Sequence, residues 1–116
     1  MKFIVLENDG IGPEIMAATL PVLEKLDERF GLNIELVPMV SGMKALKAEG
    51  QTIPKAVYDA CDAADGVILG PVSSFEYPSE AEGGVNPSKS FRKVFDLFAN
   101  IRPARTRPGV PSVIKQ

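Results

Sequence analysis

The sequence predicts an α/β fold: an incomplete parallel-type sheet with flanking helices. Short apolar runs alternate along the chain with longer amphipathic segments, the order that is typical of βαβ units. A glycine-rich turn follows the first apolar run, and a proline stands where the first helix would begin. The 116 residues are 45% hydrophobic and 24% charged, which predicts one soluble globular domain with a modest core.

The first β-turn-α unit occupies residues 3–31. Residues 3–6 form an apolar run with a β-branched centre, as in a central strand covered on both faces. Gly12 and Pro13 predict the start of a helix, because proline at the first helical position loses no needed N–H. This helix should run to about Phe30 and stop at Gly31, with a kink or local break at Pro21.

The next segments predict a second strand, two helices and a third strand. Residues 33–37 alternate well enough for a strand, and a helix that begins near Ser41 should end at Gly50. A third helix is expected over residues 54–64, with Cys61 on its apolar face. Residues 66–70 should form a third short buried strand, which Pro71 ends.

A long irregular segment, residues 71–87, precedes the last predicted helix. Connections of this length inside a compact domain are usually functional or disordered. The helix should span Pro87 to about Phe98, followed by an extended segment over residues 100–103. The apolar face expected for it consists of Phe91, Val94, Phe95 and Phe98. A further strand is expected at residues 112–114, so the chain ends as if in mid-fold with one sheet face bare.

The composition excludes several kinds of chemistry. The chain contains no histidine, and therefore no histidine general base and no imidazole metal ligand. Its single cysteine, Cys61, cannot form an internal disulfide and is expected in the core rather than as a nucleophile. No apolar run is long enough to span a bilayer and no secretory leader is evident, so a cytoplasmic protein is expected.

Charge is distributed unevenly along the chain. Residues 1–85 carry 6 basic and 14 acidic side chains, a net charge of -8, whereas residues 86–116 carry 7 basic side chains and one acidic, a net charge of +6. An anionic ligand is therefore expected at the basic end. A basic surface tail, or one that contacts an acidic partner, explains the same pattern.

The glycine turn, residues 8–14, does not match a phosphate-binding loop. The third glycine of a dinucleotide motif is replaced by Ile15, and no Gly-Lys-Ser/Thr sequence is present. Glu7, Asp9 and Glu14 also place carboxylates where a pyrophosphate would bind. A tight turn that caps a helix explains these residues, and a wall that contacts an uncharged or cationic ring is also compatible with them.

Arg92 and Arg102 are the main candidates for anion binding. The first lies on the polar side of the last predicted helix and the second lies in the extended segment that follows it, so two guanidinium groups could converge on one small carboxylate ligand. Two solvated arginines remain the alternative. Lys89 and Lys93 are expected to be surface charges.

Three segments resemble one enzyme family: residues 9–14 (DGIGPE), 70–74 (GPVSS) and 91–103 (FRKVFDLFANIRP). Together they are similar to the N-terminal third of the isocitrate/isopropylmalate dehydrogenase family. Its members are NAD(P)- and divalent-metal-dependent dehydrogenases that oxidatively decarboxylate 2-hydroxy diacids. The resemblance covers nearly the whole chain and implies the first portion of the isopropylmalate dehydrogenase-like fold.

The resemblance implies roles for particular residues. Arg92 and Arg102 match arginines that hold substrate carboxylates, and Ser88 falls in a stretch that varies with the substrate's third substituent, as do Asn86 and Phe91. A separate set matches the cofactor side of the cleft, with Ser73 and Ser74 beside the nicotinamide ribose and Ile11 beside the nicotinamide. Two departures from the family are Asn8, where glycine is usual, and the acidic loop over residues 76–82.

Family chains are much longer, which implies that this chain is a fragment. The catalytic tyrosine and lysine and the aspartates that bind Mg2+ or Mn2+ would lie elsewhere. We therefore expect no catalytic residue and no metal ligand here, and no activity from the 116-residue chain alone. Residues 1–99 would be the N-terminal part of the large α/β domain, and residues 100–116 the truncated start of a second, central domain.

The expected partners follow from the same resemblance. They are a small 2-hydroxy diacid, NAD or NADP, and either a second copy of the chain or the remainder of the parent chain. No nucleic acid or membrane is expected. The alternative interpretation is a non-catalytic α/β module that binds an anion or another protein through its basic end.

Overall fold

A computed structural model describes residues 1–109 and confirms the α/β prediction. A three-stranded parallel sheet in the order β2-β1-β3 is flanked by helices. The strands are β1 (Lys2–Leu6), β2 (Glu35–Met39) and β3 (Gly66–Leu69). The helices are α1 (Gly12–Phe30), α2 (Met43–Glu49), α3 (Lys55–Asp62) and α4 (Pro87–Val94). Because β1 lies between the other two strands, each outer strand keeps one edge without a partner in this part of the chain.

Strand β2 begins two residues later than predicted. Asn33 has a φ of 54°, in the left-handed region, so it belongs to the turn after α1 and cannot extend the strand. The strand starts at Glu35, whose N–H donates to the Met1 carbonyl at 2.8 Å, and continues through Pro38 to Met39. A proline is tolerated there because β2 is an outer strand.

Helix α1 has the predicted ends but no break at its internal proline. It stops at Gly31, whose φ of 61° and N–H bond to the Asp27 carbonyl form a left-handed cap. Of the two alternatives predicted at Pro21, the local break is wrong, because α1 continues through this residue, and the kink stays a prediction. Both Pro21 and Ala17, whose carbonyl loses its helical donor, are exposed, so water can satisfy that carbonyl.

The core lies between one face of the sheet and helices α3 and α4. It contains Ile4 and Leu6 of β1 and Val57 and Cys61 of α3, together with Phe91 of α4. The position of Cys61 confirms the prediction of a core residue, and burial raises the pKa of its thiol, which disfavours a reactive thiolate. Helix α1 buries only Gly12 and Met16 of its own residues.

Helix α4 is four residues shorter than predicted. Asp96 has a φ of 48°, and the Leu97 N–H turns back to the Arg92 carbonyl at 3.1 Å, a pattern that ends helices. Phe98 therefore lies beyond the helix and is exposed, and Val94 is also exposed. The predicted apolar face is wrong at these two positions.

Residues 100–109 form neither a helix nor a strand and are exposed. The strand predicted at residues 112–114 lies outside the described residues, so the proposed start of a second domain at residue 100 stays a prediction. Between residues 1 and 109 no helix is both long and apolar enough to cross a membrane.

Candidate functional site

The turn after β1 and the loop after β3 meet at the carboxyl edge of the sheet. The chain passes from β1 to β2 on one side and then to β3 on the other side of β1, so its connections reverse direction between β1 and β3. In open parallel sheets, ligands bind in the crevice outside the strand ends at such a reversal. The topology therefore points to residues 7–12 and 70–74 as the walls of a site.

Close backbone contact joins these two walls, and two glycines permit it. The Gly70 N–H donates to the Leu6 carbonyl at 2.8 Å. A Cβ on Gly12 would overlap the Glu7 carbonyl oxygen and lie 2.9 Å from the Pro71 carbonyl oxygen. Gly10, with a φ of 58°, lies against the Ser73 hydroxyl, with no room for a Cβ. The glycines thus bring the loop onto the turn, in addition to allowing the tight turn itself.

The residues predicted on the cofactor side lie on these walls. Ile11 immediately precedes α1 and its side chain is exposed. Ser73 is nearly buried beside Gly10, whereas Ser74 is half-buried and begins a short 3-10 turn, Ser74–Glu76. The structure therefore brings the segments that carry Ile11, Ser73 and Ser74 to one edge of the sheet.

Asn8 ties the ends of all three strands together. It is buried and has a φ of 57°. Its Nδ2 donates to the Leu6 carbonyl at 3.2 Å and to the Gly70 carbonyl at 2.9 Å, and its Oδ1 accepts from the Ser41 hydroxyl at 2.6 Å. The side chain that departs from the family's usual glycine is thus fully used as an internal hydrogen-bonding bridge.

Replacing Asn8 with glycine is expected to lower the free energy of unfolding by about 1–2 kcal/mol. Glycine accepts the left-handed backbone, so the loss should reflect the three hydrogen bonds of the side chain. Urea denaturation of the two chains checks this. The Ser41→Ala variant, which removes one of the three bonds, should lose less; equal stability of Asn8→Gly and the unchanged chain would contradict the bridging role.

The residues predicted to bind substrate line one cleft of about 500 Å3. It lies between β3, α4 and residues 97–102, and its wall includes Ser88, Arg92 and Arg102. The Arg92 Nε donates to the Ser88 carbonyl at 2.7 Å, and its Nη2 donates to the Ser88 hydroxyl at 3.2 Å. Ser88 therefore holds the guanidinium along the helix at the cleft.

The neighbouring residues of this segment have mainly structural contacts. The Asn86 Oδ1 accepts from the Lys89 N–H at 3.1 Å and caps α4. Phe91 is in the core and also lines the cleft. Lys89 pairs with Glu80 at 3.1 Å, with both side chains largely in solvent, and Lys93 is exposed, so both lysines are surface charges as predicted.

Two contacts at the carboxyl edge were not foreseen from the sequence. The Tyr77 hydroxyl donates to the Asp9 carboxylate, which also accepts from the Met43 N–H at 2.8 Å, the first residue of α2. Asp9 is therefore a cap for a helix that is distant in sequence. The sequence carried no signal for this contact, because Ser41 and Gly42 already offered ordinary capping residues at the start of that helix.

The residues between 1 and 109 provide no group of three or more acidic or cysteine side chains that could hold a metal ion. These residues therefore offer no set of ligands that fits a bound Mg2+ or Mn2+. Binding of a neutral or cationic ring stays a prediction for the glycine turn and the serine loop, around which Glu7, Asp9 and Glu14 supply the acidic side chains.

The fold and the site define a protein of the parallel α/β class with a candidate ligand crevice at its topological reversal. The family model for isocitrate/isopropylmalate dehydrogenase matches residues 2–116. The chain belongs to the isocitrate/isopropylmalate dehydrogenase family, as its motifs predicted.

Several curated relatives show the same relationship. The chain is 34% identical to the 3-isopropylmalate dehydrogenase of Sulfurisphaera tokodaii over 106 residues, covering 91% of this chain and 29% of that protein. It is 38% identical to the 3-isopropylmalate dehydrogenase of Streptococcus thermophilus, covering 90% of this chain and 30% of the relative. With that of Methylococcus capsulatus it shares 38% identity, over 97% of this chain and 32% of the relative. The chain thus spans about 30% of the length of these relatives.

Proposed function

We propose that this chain contributes part of the substrate and cofactor sites of an NAD(P)- and divalent-metal-dependent dehydrogenase that oxidatively decarboxylates a 2-hydroxy diacid. One observation carries the proposal: Ser88, Arg92 and Arg102 line a single cleft. Membership of the family supports the reaction class, and the names of the relatives suggest 3-isopropylmalate as the first substrate to test.

Arg92 is arranged to bind one substrate carboxylate. Its Nε and one Nη2 hydrogen are directed to Ser88, so the Nη1 end of the guanidinium is left for a ligand oxygen. Because Ser88 already orients the side chain, less rotamer entropy is lost when the ligand binds. Arg102, from the segment after α4, supplies a second cation on the same cleft.

The carboxyl edge of the sheet supplies the proposed cofactor wall. Ile11 offers an apolar surface to a nicotinamide ring, and Ser74 offers a hydroxyl to the adjoining ribose, with Ser73 supporting the turn beneath it. The carboxylates of Glu7, Asp9 and Glu14 disfavour a pyrophosphate here but suit the cationic oxidised ring. When bound, NAD(P)+ supplies the hydride acceptor.

Titration of the 116-residue chain with 3-isopropylmalate, followed by amide NMR, tests the proposed substrate site. We expect weak, saturable shifts confined to α4 and residues 97–102, because two charge-assisted contacts act without the rest of a substrate site. Replacing either Arg92 or Arg102 with glutamine should weaken this binding about tenfold, which corresponds to about 1.4 kcal/mol.

The matched control is Arg29→Gln, which removes an exposed arginine that stacks on Phe30 at the end of α1. It should leave the affinity unchanged, because Arg29 is not among the residues that line the cleft. Shifts that are equally reduced in all three variants, or that sulfate reproduces at the same concentration, would indicate non-specific anion binding. We expect no NAD+ reduction by the chain alone, so measurable turnover would contradict its proposed role as a contributor of partial sites.

A further inference from the structure

We propose that Tyr77 and Asp9 form a latch that positions the loop carrying Ser73 and Ser74 against the turn carrying Ile11. This makes Tyr77 and Asp9 positioning residues for the cofactor wall, and that part of the inference rests on the proposed function. The latch itself stands on the geometry of three segments that meet at the carboxyl edge: the turn after β1, the start of α2 and the loop after β3.

The carboxylate of Asp9 joins the turn after β1, on which it lies, to the other two segments. Its Oδ1 accepts from the Met43 N–H at 2.8 Å, which fixes the carboxylate at the start of α2. Its Oδ2 accepts from the Tyr77 hydroxyl, which lies in the loop after β3. The residue that precedes Gly10 and Ile11 in the chain therefore has its side chain held from two directions.

Tyr77 is rigidly connected to the two serines by the local backbone. The Glu76 N–H donates to the Ser73 carbonyl at 2.9 Å, and the Tyr77 N–H donates to the Ser74 carbonyl at 3.4 Å. These bonds close the short 3-10 turn over Ser74–Glu76, which Tyr77 ends. A constraint on the position of the Tyr77 ring therefore also constrains the two serines, because only a single turn separates them.

The latch acts at the near end of a long connection. At its far end the Thr52 N–H donates to the Gly83 carbonyl at 2.9 Å, and the Thr52 hydroxyl binds the backbone of residue 85. Between these anchors the regular structure of the loop consists of two short 3-10 turns, Ser74–Glu76 and Glu80–Glu82, and Glu80 pairs with Lys89. Without the tyrosine hydroxyl, this part of the loop would keep the contact of the Ser73 side chain with Gly10 and, just before it, the contact of the Pro71 carbonyl with Gly12.

The electrostatic surroundings keep the latch closed at neutral pH. Burial, followed by the hydrogen bond to Asp9 and the charge of Asp9, raises the pKa of Tyr77 well above its ordinary range. The hydroxyl therefore remains a proton donor to the carboxylate throughout the range in which the protein would work.

Amide hydrogen exchange of the Tyr77→Phe variant tests the latch directly. We expect amides of the segment from Ser73 to Tyr77 to lose about tenfold in protection, equivalent to about 1.4 kcal/mol for one hydrogen bond to a charged group. The matched control is Tyr58→Phe, which removes a half-buried hydroxyl that shares a hydrogen bond of 2.6 Å with Ser90 and belongs to a side chain packed against the core. Unchanged protection of that segment in Tyr77→Phe would overturn the latch.

A spectroscopic signature separates the bond from a general packing role. In a Tyr58→Phe background Tyr77 is the single tyrosine, so its ionisation can be followed by tyrosinate absorbance. Replacing Asp9 with asparagine removes the charge; its amide oxygen can still accept from the Met43 N–H, and its amide N–H can donate to the Tyr77 hydroxyl oxygen. The pKa of Tyr77 should therefore fall while loop protection is largely retained. An unshifted titration in Asp9→Asn would overturn the pairing.

Titration with NADH separates failure of the latch from failure of the proposed function. If the unchanged chain binds NADH, Tyr77→Phe should weaken the binding several-fold and Tyr58→Phe should not; equal affinities would overturn the positioning role. If the unchanged chain shows no NADH binding, the proposed cofactor wall is contradicted, and hydrogen exchange alone decides whether the latch exists.

Discussion

Replacing Gly12 with alanine is expected to destabilise the protein by about 3 kcal/mol or more, the upper end of the range for inserting a methyl group into a packed site. The added Cβ would overlap the Glu7 carbonyl oxygen and crowd the Pro71 carbonyl oxygen. Both obstacles are backbone atoms at the ends of β1 and β3, so a side-chain rotation cannot relieve the overlap. The turn and the loop would have to separate.

Gly31→Ala is the matched control for this prediction. Gly31 has a positive φ, unlike Gly12, but no atom lies within 4 Å of the position that a Cβ would occupy there, so its loss should be confined to backbone strain of about 1–2 kcal/mol. Urea denaturation of both variants gives the comparison. If Gly12→Ala loses no more stability than Gly31→Ala, the close approach of the two walls is not needed by the fold.

The same contact links stability to the candidate site. Gly12 starts α1, and Ile11 directly precedes it, so any displacement that relieves the overlap also moves the proposed cofactor wall. We therefore expect Gly12→Ala to expose amides near Ser73 to exchange, as in Tyr77→Phe, but with a loss of global stability that the tyrosine variant does not share.

Local chemistry explains which boundaries were predictable. The ends of α1 and α2 were found because Gly31 and Gly50 adopt the left-handed conformation for which glycine is favoured at helix ends. The end of α4 was missed because a non-glycine residue, Asp96, takes that conformation, while the apolar spacing of Phe95 and Phe98 continues past it. Asn33 had the same effect on the start of β2.

The candidate site was predictable in its residues more than in its contacts. Arg92 and Arg102 were selected by charge and by family resemblance, and the structure places them on one cleft. The bond between Tyr77 and Asp9 joins residues 68 positions apart, and no periodicity or turn signal connects them. Such a contact depends on the packing of three loops, which local sequence patterns do not encode.

Replacing Leu6 with alanine is expected to lower the free energy of unfolding by about 2–5 kcal/mol, the range for truncating a buried leucine. Leu6 is fully buried at the end of β1, where its neighbours on the outer strands are Met39 and Leu69. Truncation would leave a cavity on one side of the sheet. The surrounding strands are held by their hydrogen bonds, so they could collapse only partly into that space. Against a typical total stability of about 5–15 kcal/mol, this loss is large enough to populate the unfolded chain.

The matched substitution Leu97→Ala tests whether burial, rather than the loss of any leucine, sets the size of this effect. Leu97 is 53% exposed and follows α4, so its truncation should lower the free energy of unfolding by less than about 1 kcal/mol. Urea denaturation should show a clear shift of the midpoint for Leu6→Ala and a small one for Leu97→Ala, with similar slopes. Similar losses in the two variants would mean that the face of the sheet against α3 and α4 is not the main source of stability. A large difference would mean that the main source of stability is the core packing at the end of β1. The turn that carries Asn8, Asp9 and Ile11 follows directly there, so the same packing would also maintain the geometry of the candidate site.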